Sequence, residues 1–330
     1  MLKKGLAVTL ALILLLMPLV TGCGERRDDG VLRVVCTVFP LYDWVRAVMG
    51  DRENIEVSLL VKDGTDLHSY QPSAADMVKI SSCELLVCLG GGSELWVEEA
   101  LKKNDSGEVL RLTEAEGVTL RQVSDEGFAS DCETDCEEDH DHAHSHEEGE
   151  QDEHIWLSLK NARGCVEAIV AALSRLDEAG AEAYRANGDA YAAKLSALDA
   201  SYTSAVAQVA QPRLIVADRF PFVYLAEDYG VSYLAAFRGC TTDTDATPDT
   251  VIRLAKGVKD WGLGAVLVTE SGDPSLAQSV IRAAERDGVK ILVMDSMQSV
   301  TQARIDEGES YLAVMERNLP AFRQAIAPAS

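Results

Sequence analysis

Apolar positions along the chain fall into short, nearly uninterrupted runs separated by stretches with helical spacing. Residues 33–38, 55–61 and 84–89 are runs of the first kind, rich in Val, Ile and Leu. Residues 41–49, 74–82 and 94–102 carry apolar side chains three and four apart, as one face of a helix does. Ser73 stands at the N-cap position of the second of these, with Asp76 in its first turn. The alternation returns in the second half, with strands expected at 214–217, 231–236, 265–269 and 290–294 and helices at 221–228, 248–261, 274–287 and 306–326. Strands that are apolar throughout and alternate with helices belong to parallel sheets covered on both faces.

Between the halves, residues 181–210 contain eleven alanines, and Tyr184, Tyr191, Leu195, Leu198, Tyr202, Val206 and Val209 follow one another at intervals of seven, four or three. That is one apolar stripe on a single helix. At ~1.5 Å per residue such a helix reaches roughly 45 Å, the length of a domain. The expected fold is therefore α/β, with two similar lobes, each a parallel sheet flanked by helices, joined by one long rigid helix. The lobes are residues 31–180 and 211–330, with 181–210 as the spine. A stiff spine limits large closure of one lobe on the other.

Lys3 and Lys4 precede an uncharged apolar stretch, residues 5–22, which ends in Val20-Thr21-Gly22-Cys23 and gives way to a polar stretch at 24–30. A basic start, an apolar core and small residues before a cut site make residues 1–22 a secretory signal. The small residues ahead of Cys23 resemble a bacterial lipobox, in which Cys23 is lipidated and becomes the first residue, leaving 23–30 as a lipid-anchored linker. An uncleaved membrane anchor is the competing reading, since the run is nearly long enough to span. Both place the remaining chain outside the cytoplasmic membrane and close to its surface. Lys and Arg number 30 against 54 Asp and Glu, a net charge of −24. That balance argues against nucleic acid as a partner and suits a cationic ligand.

Behind Cys23 the chain has Cys36, Cys83, Cys88, Cys132, Cys136, Cys165 and Cys240, an odd number that cannot pair completely. Cys36 and Cys88 sit within apolar runs, where a buried thiol is expected. Of the six histidines, His140, His142, His144 and His146 alternate within residues 131–153, which hold twelve Asp or Glu and no Lys or Arg. No packed core forms from that composition, so a mobile excursion is expected. Its imidazoles, with Cys132 and Cys136 as soft partners, would scavenge a metal ion weakly; a plain solvated tether is the alternative. The other two histidines each follow acidic residues, in Thr65-Asp66-Leu67-His68 and Asp152-Glu153-His154. Imidazole is the commonest transition-metal ligand. Loops at the carboxyl ends of parallel strands, where His68 falls, line ligand clefts.

Residues 64–99, GTDLHSYQPSAADMVKISSCELLVCLGGGSELWVEE, resemble the signature of the metal-binding substrate-binding proteins of ABC transporters, the zinc and manganese receptors typified by ZnuA, AdcA and TroA. DEHIWLSLKNA at 152–162 is similar to that family's second signature, and VTESGD at 268–273 and LVMDSMQSV at 292–300 to its C-terminal lobe. The similarity runs from about residue 31 to 326, including the long central helix and the His-rich loop. It implies a TroA-like bilobal fold, a metal ion held between the lobes, and a monomer that delivers the ion to a permease with a separate ATPase subunit. Carried over residue by residue, the first two ligands fall on His68 and His154, and the last, a carboxylate, on Asp295. The third position, a His or Glu in the family, lies in Val216-Ala217-Asp218-Arg219-Phe220-Pro221-Phe222 and is held by Arg219. A guanidinium stays protonated and cannot coordinate a cation. Asp218 is the expected ligand in its place, with Glu270 or water as substitutes and an Asp218–Arg219 ion pair as the competing arrangement.

Two imidazoles and two carboxylates suit Zn²⁺ when closed tetrahedrally at about 2.0–2.2 Å, and Mn²⁺ when more donors gather. The His-rich loop favours zinc. The expected function is a lipid-anchored extracytoplasmic zinc receptor of an ABC importer; a manganese receptor or a metal-binding adhesin lipoprotein of the same fold is the alternative. Enzyme chemistry finds little support. The zincin pattern H-E-x-x-H and the nucleotide loop G-x-x-x-x-G-K-[ST] are both absent. Gly90-Gly91-Gly92 lacks dinucleotide-binding spacing and is expected to form a turn near the cleft. A surface metallohydrolase is the one enzyme alternative.

Overall fold

The computed structural model describes residues 30–102, 107–123, 127–129, 151–241 and 245–328. Cys23, Cys132, Cys136, His140, His142, His144 and His146 lie outside them. Val31–Ser330 is one compact unit.

Two four-stranded sheets, parallel throughout, organise it. The first holds β1 (Leu32–Cys36), β2 (Ile55–Leu59), β3 (Leu85–Cys88) and β4 (Glu108–Arg111) in the order β2-β1-β3-β4. The second holds β5 (Arg213–Phe220), β6 (Ser232–Arg238), β7 (Ala265–Thr269) and β8 (Lys290–Met294) in the equivalent order β6-β5-β7-β8. In each sheet the chain leaves the first strand to one side and later crosses back to the other. The loops after those two central strands therefore part, and a crevice opens at their carboxyl ends.

The helices are α1 (Phe39–Met49), α2 (Ala74–Ser82), α3 (Leu95–Leu101), α4 (Leu159–Leu176), α5 (Ala181–Val206), α6 (Val223–Asp228), α7 (Pro248–Asp260), α8 (Ser275–Ala284), α9 (Gln302–Asp306) and α10 (Tyr311–Ala325). Ser73 caps α2 in a full capping box, its hydroxyl accepting from the Asp76 amide while the Asp76 carboxylate accepts from the Ser73 amide. Two elements go beyond the sequence-based expectation. Strand β4 is a four-residue edge strand with Glu108 and Arg111 at its ends and no fully buried residue, so it carries little apolar pattern. Helix α4 buries Leu159, Ala162, Cys165, Val166, Ile169, Ala172 and Leu173 at helical spacing behind the cap Ser158.

Helix α5 spans 26 residues, about 39 Å at ~1.5 Å per residue. Its stripe of Tyr184, Tyr191, Leu195, Leu198 and Tyr202 is buried as expected, and the helix ends at Val206, short of Val209. It is fixed to both lobes. Asn187 Nδ2 donates to the Val48 carbonyl of α1 at 3.0 Å, and Tyr202 donates to the Met315 carbonyl of α10 at 2.8 Å. Asp43 of α1 accepts from Tyr191 and from the Tyr311 amide.

Alternation along β5 divides the core. Leu214 and Val216 join a large core that continues through the first lobe, α5 and α10, whereas Ile215 and Ala217 pack with Leu254, Val258, Ala277 and Val280 beneath α7 and α8. The lobes thus share apolar packing on the spine side. Cys36, Cys83, Cys88 and Cys165 are buried thiols.

Candidate metal centre

Backbone geometry sets both candidate histidines in place through the acid two residues ahead. His68 sits in the 3-10 turn Leu67–Ser69 that follows β2, and Oδ1 of Asp66 accepts from the His68 amide at 2.9 Å. His154 immediately precedes the 3-10 turn Ile155–Leu157, and Oδ1 of Asp152 accepts from its amide at 2.8 Å. The same Oδ1 accepts from His154 Nδ1 at 2.9 Å. An ionised carboxylate only accepts, so the proton of His154 is on Nδ1 and the lone pair on Nε2. Nδ1 of His68 is hydrogen-bonded to the hydroxyl of Ser93 at 2.7 Å. The two Nε2 atoms then face each other at 3.3 Å.

Ser93 reaches His68 because the Gly90–Gly92 segment turns tightly beside the crevice. Its amide donates to Oε1 of Glu153 at 2.7 Å, and a Cβ on Gly91 would lie 2.6 Å from carbons of that same Glu153 side chain. The expected turn near the cleft is therefore present, and its glycines admit the acidic wall of the site.

That wall is lined by buried carboxyl groups. Asp152, Glu153 and Glu94 are all buried, and each keeps one carboxylate oxygen with no hydrogen-bond partner: Asp152 Oδ2, Glu153 Oε2 and Glu94 Oε1. Burial pushes Glu94 up to about 7, against the pull of hydrogen bonds that favour its charged form. Burial first, and then the neighbouring His154, pushes His68 down to about 4. His68 is thus a neutral imidazole at physiological pH, the form that binds metal.

Of the four expected ligands, the structure brings His68 and His154 together. Among the described residues, three side chains bring one potential ligand atom each to within 4.8 Å of the other two: His68, His154 and Cys240. Cys240 lies in the turn after β6, on the second lobe. Asp218 and Asp295 are engaged elsewhere. Oδ2 of Asp218 accepts from the amide and hydroxyl of Thr269 at 2.9 and 2.6 Å, and Oδ1 from the Arg219 amide at 2.8 Å. Oδ2 of Asp295 is 2.5 Å from Arg304 Nη2, and Oδ1 accepts from the Met297 amide at 2.9 Å. Glu270 holds the Ser296 amide and hydroxyl at 2.8 and 3.0 Å.

Arg219, next to Asp218 on β5, forms its side-chain ion pair with Asp66 at 2.6 Å, across the crevice. It ties β5 to the turn that carries His68. The pair borders a cavity of about 690 Å³ whose walls include Asp218, Asp245 and Asp273, an acidic mouth beside the histidines.

Two further groups at the site have no counterpart in the expected set. The side-chain amide of Gln298, buried after β8, touches Nε2 of His154. Gly239 precedes Cys240 and packs directly on the His154 ring. One signal was present in the sequence: Cys240 follows a strand's carboxyl end, the same placement that singled out His68.

Comparison with known proteins gives a consistent picture. The family model described as ZnuA, zinc-uptake complex component A, periplasmic, matches residues 34–325. The zinc-binding lipoprotein AdcA of Streptococcus pneumoniae (strain TIGR4) is 32% identical over 309 residues, which cover 93% of this chain and 58% of that protein. The chain thus spans somewhat over half the length of that relative. The high-affinity zinc uptake system protein ZnuA of Bacillus subtilis is 28% identical and matches over 99% of both chains. Among solved structures, the Zn(II)-bound ZnuA-like domain of S. pneumoniae AdcA superposes with a TM-score of 0.69 at 29% identity, covering 90% of this chain and 99% of that domain.

Proposed function

This chain belongs to the ZnuA family of periplasmic zinc-uptake components, and from that membership we propose that it captures Zn²⁺ between its lobes and hands the ion to a membrane permease. The observation that carries the proposal is the 3.3 Å separation of the two Nε2 atoms, each on a ring whose Nδ1 is already bonded. Two nitrogens bound to one tetrahedral zinc at about 2.0–2.1 Å stand about 3.3–3.4 Å apart. The imidazoles therefore already hold the spacing that a shared zinc requires.

Asp152 supports His154 as an outer partner that fixes the orientation and tautomer of its ring. The carboxylate oxygens of Asp152 and Glu153 that lack hydrogen-bond partners favour a divalent cation, which offsets their charge in a medium of low dielectric. The acidic mouth draws cations toward the crevice. Asp218 and Asp295 serve in this reading as braces for the second lobe, and Arg219 as the tie between lobes. The work is binding and release without covalent chemistry, in keeping with a family of metal receptors. Lipidation at Cys23 holds the body at the outer face of the membrane, and the energy for transport comes from a separate ATPase bound to the permease.

Uptake in the native host tests the proposal. Removing this chain should lower zinc accumulation when external zinc is scarce, and excess zinc should restore it. Unchanged zinc accumulation beside a fall in manganese would assign a different cargo.

A further inference from the structure

We propose that the second lobe binds the ion through the thiolate of Cys240 and the side-chain carbonyl of Gln298, giving two nitrogens, one sulfur and one oxygen around the metal. The inference rests on the zinc-receptor reading and deepens it, because it names the donors that decide which cations the site accepts.

Three observations support Cys240. Its sulfur comes within 4.8 Å of the ligand atoms of both His68 and His154. In a closed tetrahedral site with Zn–S of about 2.3 Å and Zn–N of about 2.0–2.1 Å, sulfur and nitrogen stand about 3.6 Å apart, so the turn needs to approach by no more than about 1 Å. The turn is built for close approach: a Cβ on Gly239 would lie 2.9 Å from Cε1 of His154 and 2.9 Å from the Phe220 carbonyl oxygen. The candidate carboxylates of this lobe are held by other groups, Asp218 by Thr269 and Asp295 by Arg304.

Gln298 supplies the fourth donor by position. Its amide already rests on the metal-facing nitrogen of His154, and its backbone follows the turn that Asp295 pins through the Met297 amide. A half-turn of the amide exchanges NH₂ for the carbonyl oxygen, converting a group that caps the lone pair of His154 into a neutral oxygen ligand. Cys240 follows β6 and Gln298 follows β8, so both sit on the second lobe, opposite the two histidines of the first. Capture would then draw donors from both sides of the crevice.

Such a donor set favours borderline and soft cations. Thiolate suits zinc, whereas manganese, calcium and magnesium prefer carboxylates, carbonyls and water. Zinc should bind well ahead of manganese, and Cd²⁺ should compete effectively with zinc.

X-ray absorption at the zinc edge tests this on the full receptor loaded with one equivalent of Zn²⁺. The wild type should show one sulfur at about 2.3 Å, and Cys240→Ser should lose that shell while retaining zinc through the histidines. Cobalt gives a second measurement that survives poor behaviour of the variant: Co²⁺ bound to the wild type should show a thiolate charge-transfer band in the near ultraviolet. Tight zinc binding with a shell of nitrogen and oxygen alone, or a sulfur shell that persists in Cys240→Ser, would overturn the inference and leave the zinc reading standing. Failure of the wild type to bind zinc would overturn both.

Discussion

Gly239 and His154 meet at the boundary between the lobes, with so little space between them that a methyl group on the glycine would stand 2.9 Å from Cε1 of the imidazole. The contact brings the turn carrying Cys240 down onto the histidine. Replacing Gly239 by Ala should push the ring or the turn aside and weaken zinc binding at least tenfold, the effect of about 1.4 kcal/mol out of the ~1–3 kcal/mol typical of overpacking. The thermal midpoint of the metal-free protein should fall far less than that of a buried core variant. Chelator competition and a melting curve on the same sample separate the two effects.

Asp152 gives a second test, since it holds both the amide and Nδ1 of His154. Asp152→Asn keeps the shape but offers a weaker, neutral partner. Loss of such an outer partner typically costs about 10–100-fold in metal affinity, and the same loss is expected here. An affinity unchanged within error would mean that His154 is oriented by packing against Trp156 and not by the carboxylate.

Glu94 sets a pH dependence for the metal-free protein. In the unfolded chain its carboxyl ionises near 4.5, whereas burial holds the folded one to about 7. The folded state therefore keeps a proton that the unfolded state has released. Its contribution is fully present below pH 4.5 and is lost as pH rises toward 7, a decline on the order of 3 kcal/mol. Glu94→Gln cannot ionise and should remove that part of the slope. Urea unfolding at pH 5 and pH 8 checks it: the variant should gain on the wild type at the higher pH.

The His-rich segment is separable from the tight site in this account. Deleting residues 131–150 should lower the number of zinc ions bound while one tight site remains, because His68, His154, Cys240 and Gln298 all lie outside it. Isothermal titration of both forms reads this directly. Disappearance of the tight site on deletion would place a loop histidine among its ligands.

Much of the fold was legible in the sequence because its signals are local. The apolar runs that became β1, β3 and β7, the stripe from Tyr184 to Tyr202, and the Ser73–Asp76 cap each follow from neighbouring residues. Strand β4 was not legible, since its four residues gain their place from the ladder with Leu85–Cys88 and not from an apolar pattern of their own. The site divides the same way. His68 and His154 stood out as histidines beside acids, and each acid proves to hold its histidine in place. Cys240 and Gln298 did not stand out, because only the approach of two strand ends, β6 and β8, carries them to a histidine far away in sequence. Arg219 pairs with Asp66 across the crevice, and the end of the neighbouring strand places Cys240 within reach of both histidines.

The most direct test is a zinc titration against a competing chelator, run on the full chain and on His154→Ala, with circular dichroism to show that both are folded. The account predicts one tight zinc site in the wild type and its loss in the variant, with only weak binding left to the His-rich segment. A folded His154→Ala protein that binds zinc as tightly as the wild type would contradict it.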